Sequence, residues 1–384
     1  MIYADNAATT PVSESVLKAM LPFFSEEFGN PSSLYSVGRR AKRALETARE
    51  TVASCLNARP DEIFFTSGGS ESDNWAVKMA ARNGKKSGKT HLIATAFEHH
   101  AVLHSLSALE REGFSVTLLP VHENGIVRPE ELEHALRPRT ALVSVMTANN
   151  EIGTIQPIRE IGEICRRRHV PFHTDAVQAA GVLPLDVRAL GVDFLSLSAH
   201  KFHGPKGVGA LFVRRGSGLS GMIDGGAQER GLRAGTENVA GIVGLAAALR
   251  ESCEKAPENA ARLSALRNRL IEGALAIPGA RLNGDPEQRL PGNVNLSFED
   301  LDGEALLLLL DQNGICASAG SACAAGSLEP SHVLRALGLA PQLARGSLRL
   351  TLSAQNARED VDGILRVLPE AVRRVRAFAS RSER

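Results

Sequence analysis

Seven short apolar runs recur between residues 63 and 213, and stretches with helical periodicity separate most of them. The runs lie at 63–66, 91–95, 115–119, 141–146, 171–174, 193–197 and 208–213. Alternating strands and helices favour a mostly parallel seven-stranded sheet with helices on both faces, because parallel strands need crossover connections. The spacing therefore predicts an α/β fold. Ligands of such sheets bind at the carboxyl ends of the strands, so the residues after each run are the functional candidates.

The pattern changes after residue 213, where the chain becomes glycine-rich over 216–241. Helical periodicity follows at 239–255, and we expect Pro257 to end that helix, because proline lacks the amide hydrogen that an α-helix needs. A second charged helix then runs to about residue 277.

The C-terminal part has apolar runs at 292–298 and 347–353, with a leucine-rich helical stretch between them. This mixture predicts a second, smaller α+β domain. We expect a large domain of residues 13–255 and a small domain that combines residues 1–12 with residues 256–384.

Charge and hydropathy restrict the partners. The 384 residues include 44 Lys and Arg against 43 Asp and Glu, a balance that indicates neither nucleic-acid nor membrane binding. The longest apolar run, near 305–310, is too short to span a bilayer, and residues 1–12 lack the features of a signal peptide. We therefore expect a cytoplasmic protein with a small-molecule ligand.

The five cysteines are odd in number, and no pair has Cys-x-x-Cys spacing. This is a poor framework for metals or disulfides and fits a reducing compartment. We expect a cysteine of functional interest to be a free thiol.

The run at 63–66 leads into two glycines, Gly68 and Gly69, and then Ser70. Glycines let backbone amides point outward, and the positive end of the following helix favours a phosphate. Ser70 as an ordinary helix cap is the alternative.

The next strand is followed by His99, which could stack on a planar ring or carry a proton. His100 and His104 have i, i+4 spacing, but no third ligand is close in sequence, which argues against a metal site.

Two further strand ends carry Asp175 and Lys201. In isolation Asp175 could cap a helix, and Lys201 and Lys206 could be solvated loop lysines. Together they fit pyridoxal 5′-phosphate, which needs a Schiff-base lysine, a carboxylate at its ring nitrogen and a phosphate site.

Two long motifs support this interpretation. Residues 198–207 read Ser-Ala-His-Lys-Phe-His-Gly-Pro-Lys-Gly, and Gly-Ser-Ala-Cys at 320–323 precedes Ser-Leu-Glu-Pro-Ser-His-Val-Leu-Arg-Ala at 327–336. The chain resembles the cysteine desulfurases of the NifS and IscS type, in the class V aminotransferase branch of fold type I pyridoxal phosphate enzymes. The resemblance covers nearly the whole chain through segments at 5–11, 29–33, 66–74, 98–103, 149–157, 173–181, 196–209, 225–238 and 318–338.

The resemblance implies a role for each matching residue. Lys201 is the Schiff-base lysine, Asp175 pairs with the pyridinium, and His99 stacks on the ring. Gln178 and Asn150 contact the side of the ring that carries its oxygen. The phosphate is held by Gly69, Ser70, Ser198 and His200, with Thr236 supplied by the partner subunit of a homodimer. The family commonly has threonine at the positions of Ser70 and Ala324.

Cys323 lies in a stretch of small residues at 317–327 that offers no core, which predicts a mobile loop. The resemblance places the persulfide-forming cysteine there, whereas Cys55, Cys165 and Cys253 have the surroundings of packing cysteines. Arg349 alternates with leucines on a strand, and from the pattern alone a surface arginine is equally possible. In the family the matching arginine binds the substrate α-carboxylate.

The resulting hypothesis is a cysteine desulfurase without a metal ion. It converts L-cysteine to L-alanine and passes sulfur through a persulfide on Cys323 to a thiol carrier or an iron-sulfur cluster scaffold. A selenocysteine lyase or a class V aminotransferase would share the cofactor residues. A partner-binding subunit without catalytic activity is the alternative from another class.

Overall fold

A computed structural model describes residues 1–218, 220–320 and 330–382, with side chains up to residue 378. In chain order the strands are β1 (Ile2–Tyr3), β2 (Ile63–Thr66), β3 (His91–Thr95), β4 (Ser115–Leu119), β5 (Thr140–Ser144), β6 (Phe172–Asp175), β7 (Phe194–Ser198), β8 (Gly209–Val213), β9 (Ala280–Leu282), β10 (Asn293–Phe298), β11 (Ile315–Cys316) and β12 (Ser347–Thr351).

The helices are α1 (Glu14–Met20), α2 (Pro22–Ser25), α3 (Ser36–Cys55), α4 (Gly69–Lys86), α5 (His100–Arg111), α6 (Pro129–Ala135), α7 (Ile158–Arg167), α8 (Val187–Leu190), α9 (Gln228–Gly231), α10 (Val239–Leu275), α11 (Gly303–Gln312), α12 (His332–Ala336), α13 (Pro341–Arg345) and α14 (Arg358–Ser382). Short 3₁₀ turns occupy Pro60–Glu62 and Ala199–Lys201. Within the part of the chain that the structure describes, no helix has both the length and the hydropathy to cross a membrane.

All seven predicted runs are strands of one sheet, in the order β2-β8-β7-β6-β5-β3-β4. Strands β3 to β7 are all parallel to one another, and β8 is antiparallel to both β2 and β7. The predicted α/β fold with a mostly parallel seven-stranded sheet is therefore confirmed. In this order β6 and β7 lie side by side in parallel, with Asp175 opposite Ser196, so their carboxyl ends open on the same edge.

Helices cover both faces of this sheet, because every residue of β5 to β8 is buried and needs apolar neighbours on either side. One face packs against α1, α3, α7 and the first half of α10. The other face packs against α4 and α5, whose largest buried side chain is Trp75. The sheet is thus held rigidly at the positions where its strands end.

A second core surrounds the three-stranded antiparallel sheet β9-β10-β12, against which α11, α14 and the second half of α10 pack. The N-terminus belongs to this core: Ala4 is buried in it, and β1 pairs in parallel with β11. The boundaries of the two expected domains, residues 13–255 against 1–12 plus 256–384, stay a prediction.

The prediction that Pro257 ends a helix is wrong. Helix α10 continues through Pro257 to Leu275. A proline inside a helix removes one hydrogen bond, but here it is exposed, so water can solvate the carbonyl group left free. Leu245 and Leu249 anchor the helix in the first core, and Leu263 and Leu270 anchor it in the second. Burial at both ends outweighs the local cost.

Candidate active site

Lys201 lies on a single 3₁₀ turn directly after β7. Its Nζ atom donates hydrogen bonds to the carbonyl oxygens of Ala7 at 2.6 Å and Ala8 at 2.8 Å. Strands β6 and β7 are neighbours in parallel, and the charge of Lys201 also acts on the Asp175 carboxyl at the end of β6. The sheet therefore brings together the lysine and the carboxylate that the sequence singled out.

Asp175 is almost completely buried, and its Oδ1 atom accepts a hydrogen bond from the Val177 amide at 2.9 Å. Burial, followed by the nearby carboxyl of Asp73, raises the pKa of Asp175 to about 7. A buried carboxyl in this state gains strongly from a cation placed against it. A protonated ring nitrogen is a group of that kind.

His99 caps the N-terminus of α5, where its Nδ1 atom accepts a hydrogen bond from the Ala101 amide at 3.2 Å. The proton of the neutral ring is therefore on Nε2. Burial, and then the positive charge of Lys201, lower the pKa of His99 to about 4. His99, Asp175 and Lys201 thus form one electrostatically coupled group.

A buried polar network lies beneath this group, and the sequence analysis missed it. His173 shares hydrogen bonds with the hydroxyl groups of Ser144 at 2.8 Å and Ser196 at 3.0 Å, and its Nε2 atom lies 3.5 Å from Oδ1 of Asp73. Burial raises the pKa of Asp73 to about 7 and lowers that of His173 to about 4. The sequence feature that could have indicated this network is the carboxylate of Asp73 within a helical stretch. Only the structure shows that Asp73 faces inward.

The start of α4 forms a cradle suited to an anion. Its N-cap is Gly68, in a conformation with φ of +154°, and among the residues that the structure describes no side chain caps the first turn. A Cβ atom on Gly69 would lie 2.7 Å from Val177 Cγ2, so only glycine fits there, and Ser198 faces the same loop. The alternative of Ser70 as the cap is wrong. It lies one residue inside the helix and is exposed, because Gly68 already ends the preceding turn.

The N-terminal segment completes this side of the site. His200 Nδ1 shares a hydrogen bond of 3.1 Å with the hydroxyl of Thr9, and Gln178 Nε2 donates to the Ala7 carbonyl at 3.1 Å. Burial, and then the charges of Lys201 and Lys206, lower the pKa of His200 to about 4. Residues 7–9 therefore touch three of the predicted site residues. The sequence feature that could have indicated these contacts is the turn-rich composition of residues 5–11.

Arg349 is buried, with 1% of its surface exposed, which excludes a surface arginine. Its Nη2 atom donates to Asp5 Oδ1 at 2.8 Å, and its Nη1 atom donates to the backbone carbonyl of Asn150 at 3.1 Å. Among the described residues, Nε of Arg349 has no hydrogen-bond partner. A buried guanidinium with an unused N–H group can donate a hydrogen bond to a further oxygen atom.

A cavity of about 110 Å³ extends from Lys201 and Gln178 towards Thr351, between the two cores. Buried Asn6 and Asn293 line it, and their Oδ1 atoms lack hydrogen-bond partners among the described residues. The space beside the lysine therefore offers acceptors as well as donors.

The structure leaves two predicted residues apart from this group. Thr236 is exposed on the loop before α10, and no hydrogen bond joins it to the other candidates within the described part of the chain. Cys323 lies outside the described residues. The chain leading to it starts beside the site, because Ser318 and Arg349 exchange backbone hydrogen bonds of 2.6 and 3.1 Å.

The histidine pair considered for a metal has a neighbour that the sequence did not indicate. The ring of His100 lies 5.1 Å from that of His104 and 4.6 Å from that of His332, measured between centroids. Among residues 1–218, 220–320 and 330–382, however, no three potential ligands are arranged to hold a metal ion.

The residues present fit pyridoxal phosphate on three structural features. Gly68 begins α4 and gives an anion cradle at its first turn, Asp175 is a buried carboxyl, and the charge of Lys201 acts on both Asp175 and the planar His99 ring. Pyridoxal phosphate requires an amine, a carboxylate and a phosphate site in this combination.

Comparisons with known proteins agree with this geometry. A family model described as "Aminotransferase class-V" matches residues 2–364. A protein named cysteine desulfurase IscS from Clostridium botulinum (strain Hall) is 56% identical over 381 residues, which covers 98% of this chain and 96% of that protein. Its namesake from Methanosarcina thermophila is 55% identical over 375 residues, which covers 98% and 93%.

Solved structures show the same likeness. A structure titled as a NifS-like protein has a TM-score of 0.91 and 42% sequence identity, with 96% of this chain and 98% of that chain covered. One titled "SspA in complex with cysteine" has a TM-score of 0.81 and 39% identity, with 92% and 99% covered.

Proposed function

Because the chain belongs to the class-V aminotransferase family and is a cysteine desulfurase, we propose that Lys201 holds pyridoxal 5′-phosphate and that sulfur from L-cysteine passes to Cys323. The observation that carries this proposal is the group of His99, Asp175 and Lys201 after the carboxyl ends of β3, β6 and β7 in one sheet, where the charge of Lys201 acts on both other residues. When bound, the cofactor supplies an electron sink for negative charge at the substrate Cα.

The surrounding residues divide the task of holding the cofactor. Gly69, Ser70, Ser198 and His200 would hold the phosphate at the N-terminus of α4, where the helix dipole favours an anion. Asp175 would pair with the ring nitrogen, because a cation there lowers the pKa that burial has raised. Gln178 and Asn150 would contact the side of the ring that carries its oxygen, and His99 would cover one face.

Lys201 also moves a proton. As a neutral amine, it would take the proton from the substrate Cα. The hydrogen bonds to the carbonyls of Ala7 and Ala8 then stabilise the ammonium group that results. The same two carbonyls fix the amine at a defined place, so the proton is taken from one direction.

His99 is suited to proton transfer at the substrate sulfur. Its pKa of about 4 keeps the ring neutral near pH 7, and the Ala101 amide occupies Nδ1. Only the Nε2 proton is therefore available for donation.

Arg349 would bind the substrate α-carboxylate. The guanidinium is positioned by Asp5 and the Asn150 carbonyl before substrate arrives, and its unused Nε donor adds a hydrogen bond to the carboxylate. A positioned arginine loses little freedom on binding, which favours affinity.

The sulfur transfer needs no external oxidant. The Cys323 thiolate attacks the substrate sulfur, an S–S bond forms and the C–S bond breaks, and a proton returns to the carbon. L-cysteine and a thiol thus become L-alanine and an enzyme persulfide. The persulfide would then pass to a thiol carrier or an iron-sulfur cluster scaffold.

The test is Cys323→Ala, with Cys316→Ala as the matched control. We expect alanine and sulfide production to fall to background in the first variant and to persist in the second. The cofactor absorbance of both should still respond to L-cysteine. Unchanged alanine formation in Cys323→Ala would contradict the role of Cys323 and favour a selenocysteine lyase or an aminotransferase.

We also propose a homodimer in which Thr236 of one protomer contacts the phosphate bound by the other. Mixing Lys201→Ala with Thr236→Ala protomers tests this, because a mixed dimer would then contain one site with both residues intact. Recovery of activity and of cofactor affinity supports the proposal. If Thr236 serves its own protomer, mixing restores neither.

A further inference from the structure

An ion pair lies at the start of α4, beside the cradle proposed for the cofactor phosphate. Nε and Nη2 of Arg233 donate to the two carboxylate oxygens of Glu71 at 2.9 and 3.1 Å, and Glu71 belongs to the first turn of the helix. The same carboxylate accepts a hydrogen bond from the Ser67 amide at 2.7 Å. Only 12% of the Glu71 side chain is exposed. The sequence analysis gave neither Arg233 nor Glu71 a role.

The pair fixes a charged carboxylate at the helix end. Burial would raise the pKa of Glu71, but the hydrogen bonds from Arg233 and Ser67 outweigh burial and hold this pKa below its usual value. The positive end of α4 attracts anions, so Glu71 and a bound phosphate would share one turn. Without Arg233 the two negative charges would repel each other. The bidentate guanidinium neutralises Glu71 and removes this conflict.

The segment that leads to Arg233 contains a strained turn. Glu229 and Arg230 have φ of +43° and +59°, in the left-handed region that residues other than glycine seldom adopt. Buried Glu229 accepts hydrogen bonds from Arg49 at 2.8 and 2.9 Å and from the Phe65 amide at 3.0 Å. Strained backbone persists only where its surroundings fix it, and it concentrates at functional sites. The buried ion pair fixes this turn, and the turn sets the direction in which the chain continues to Arg233.

Two further contacts hold the same segment against α4. The indole Nε1 atom of Trp75 donates to the Ser220 carbonyl at 2.9 Å. Met222 and Leu232 pack against the core that contains Trp75, and the Met222 amide donates to the Leu232 carbonyl at 2.8 Å. Arg233 therefore follows a residue that is anchored on the helix that carries Glu71. This anchoring keeps the two charged side chains within bonding distance.

We propose that Glu71 and Arg233 are positioning residues for the cofactor phosphate. Glu71 fixes the loop before α4 through the Ser67 amide, and Arg233 neutralises Glu71, so that the positive helix end remains available to the phosphate. The inference rests on the proposed function, because it requires the phosphate of pyridoxal 5′-phosphate at this helix end. Neither side chain has to touch the phosphate, since each acts through its partner.

The test compares the affinity of the cofactor-free protein for pyridoxal 5′-phosphate with its affinity for pyridoxal, which lacks the phosphate. In Arg233→Gln the charge of Glu71 is uncompensated, and we expect the affinity for pyridoxal phosphate to fall about 10- to 100-fold. The affinity for pyridoxal should stay that of the parent. Arg82→Gln is the matched control, because Arg82 is an exposed arginine of the same helix that pairs with Glu112. It should change neither affinity.

Variants of Glu71 test the sign of the effect. Glu71→Gln keeps an oxygen for the Ser67 amide but removes the negative charge, so pyridoxal phosphate should bind at least as tightly as it does to the parent. In the double variant Glu71→Gln/Arg233→Gln no uncompensated charge remains, and the affinity should return to within about 3-fold of the parent value. An ion pair with a structural role alone would lower the affinity in both single variants, for pyridoxal as well as for its phosphate. That result would overturn the proposal.

The parent protein separates this inference from the proposed function. A parent that binds pyridoxal as tightly as pyridoxal phosphate would refute the phosphate site itself, and the inference with it. A parent that prefers pyridoxal phosphate, together with an Arg233→Gln variant that keeps the full preference, would refute only the role of Arg233.

Discussion

Two sides of the active site are built on different principles. The lysine wall, formed by His99, Asp175 and Lys201, places the charge of Lys201 beside two groups whose pKa values burial displaces, downward for His99 and upward for Asp175. The arginine wall, formed by Asp5 and Arg349, uses one ion pair of 2.8 Å. The first is suited to proton transfer and the second to holding a fixed charge.

The difference follows from how each wall is supported. The lysine wall stands at the ends of parallel strands, over a buried network that contains Asp73 and His173. The arginine wall joins β12 of the three-stranded sheet to the N-terminal segment. That same segment accepts the hydrogen bonds of Lys201, so it lies against both walls. Substitutions on the two walls should therefore have distinct signatures: turnover for the first and substrate affinity for the second.

The largest effect is expected for Lys201→Ala. Loss of both the cofactor attachment and the proton acceptor should lower kcat by at least about 10,000-fold. The matched control is Lys206→Ala, because Lys206 is exposed on the same loop and should tolerate the change. Steady-state alanine production measures both variants. Equal losses in the two variants would show that turnover depends on the intact loop and not on the Lys201 amine.

Asp175→Asn should lower kcat by about 100- to 1,000-fold. A neutral amide cannot stabilise the positive charge of a protonated ring nitrogen as the preorganised carboxylate would. KM for L-cysteine should change little, since the contact is to the cofactor. Initial rates over a range of cysteine concentrations separate the two constants. An increase in KM with unchanged kcat would show that Asp175 contributes to substrate binding. It would contradict the separate roles of the two walls.

Asp73→Asn tests the buried support of the lysine wall through pH. The folded protein holds the Asp73 proton up to a pKa of about 7, against 3.8 when unfolded. The stabilising contribution of the bound proton is full below pH 4 and is lost as the pH rises to 7. Asparagine cannot ionise, so the variant should avoid this loss, which amounts to about 2–4 kcal/mol at pH 8.

Urea unfolding of the cofactor-free protein at pH 5 and pH 8 measures this effect. The free energy of unfolding should decline more steeply with pH in the parent than in Asp73→Asn. His173, whose pKa is lowered to about 4, acts in the opposite direction as the pH falls below 6.5. It is present in both proteins. Parallel pH profiles would contradict a neutral, buried Asp73.

Arg349→Lys should raise KM by about 10- to 100-fold with little change in kcat, because a lysine cannot reproduce the planar fork that contacts Asp5 and a carboxylate together. Arg345→Lys, at an exposed position of α13, is the matched control. A fall in kcat at unchanged KM would place Arg349 in the chemistry and remove the contrast between the walls.

How much the sequence alone revealed also differs between the walls. Lys201, Asp175 and His99 could be predicted to lie together, because parallel strands bring their carboxyl ends to one edge of a sheet. The ion pair of Asp5 with Arg349 spans 344 residues, and the expected grouping of residues 1–12 with residues 256–384 did not show which side chains meet.

Other features needed tertiary information for similar reasons. Pro257 is a local helix-breaking signal, but burial of both ends of α10 in separate cores overrides it. Asp73 and His173 are polar residues in a helix and a strand, and nothing in the spacing showed that they meet inside the protein. Periodicity within one element and the edge at which parallel strands end were readable from the sequence, whereas these side-chain contacts between elements were not.

The smallest effect is expected for the contact between the N-terminal segment and His200, the residue next to Lys201 of the lysine wall. Thr9→Val removes the hydroxyl that shares a hydrogen bond with His200 Nδ1 but keeps the shape of the side chain. A neutral hydrogen bond of this kind contributes about 0.5–1.5 kcal/mol, so cofactor affinity should fall about 2- to 10-fold while KM for cysteine stays the same. Titration of the cofactor-free protein with pyridoxal phosphate gives the affinity. Thr9→Ser keeps the hydroxyl and should bind like the parent. If the valine variant loses substrate affinity instead, the segment serves the arginine wall, and the two sides of the site are less separate than their contacts indicate.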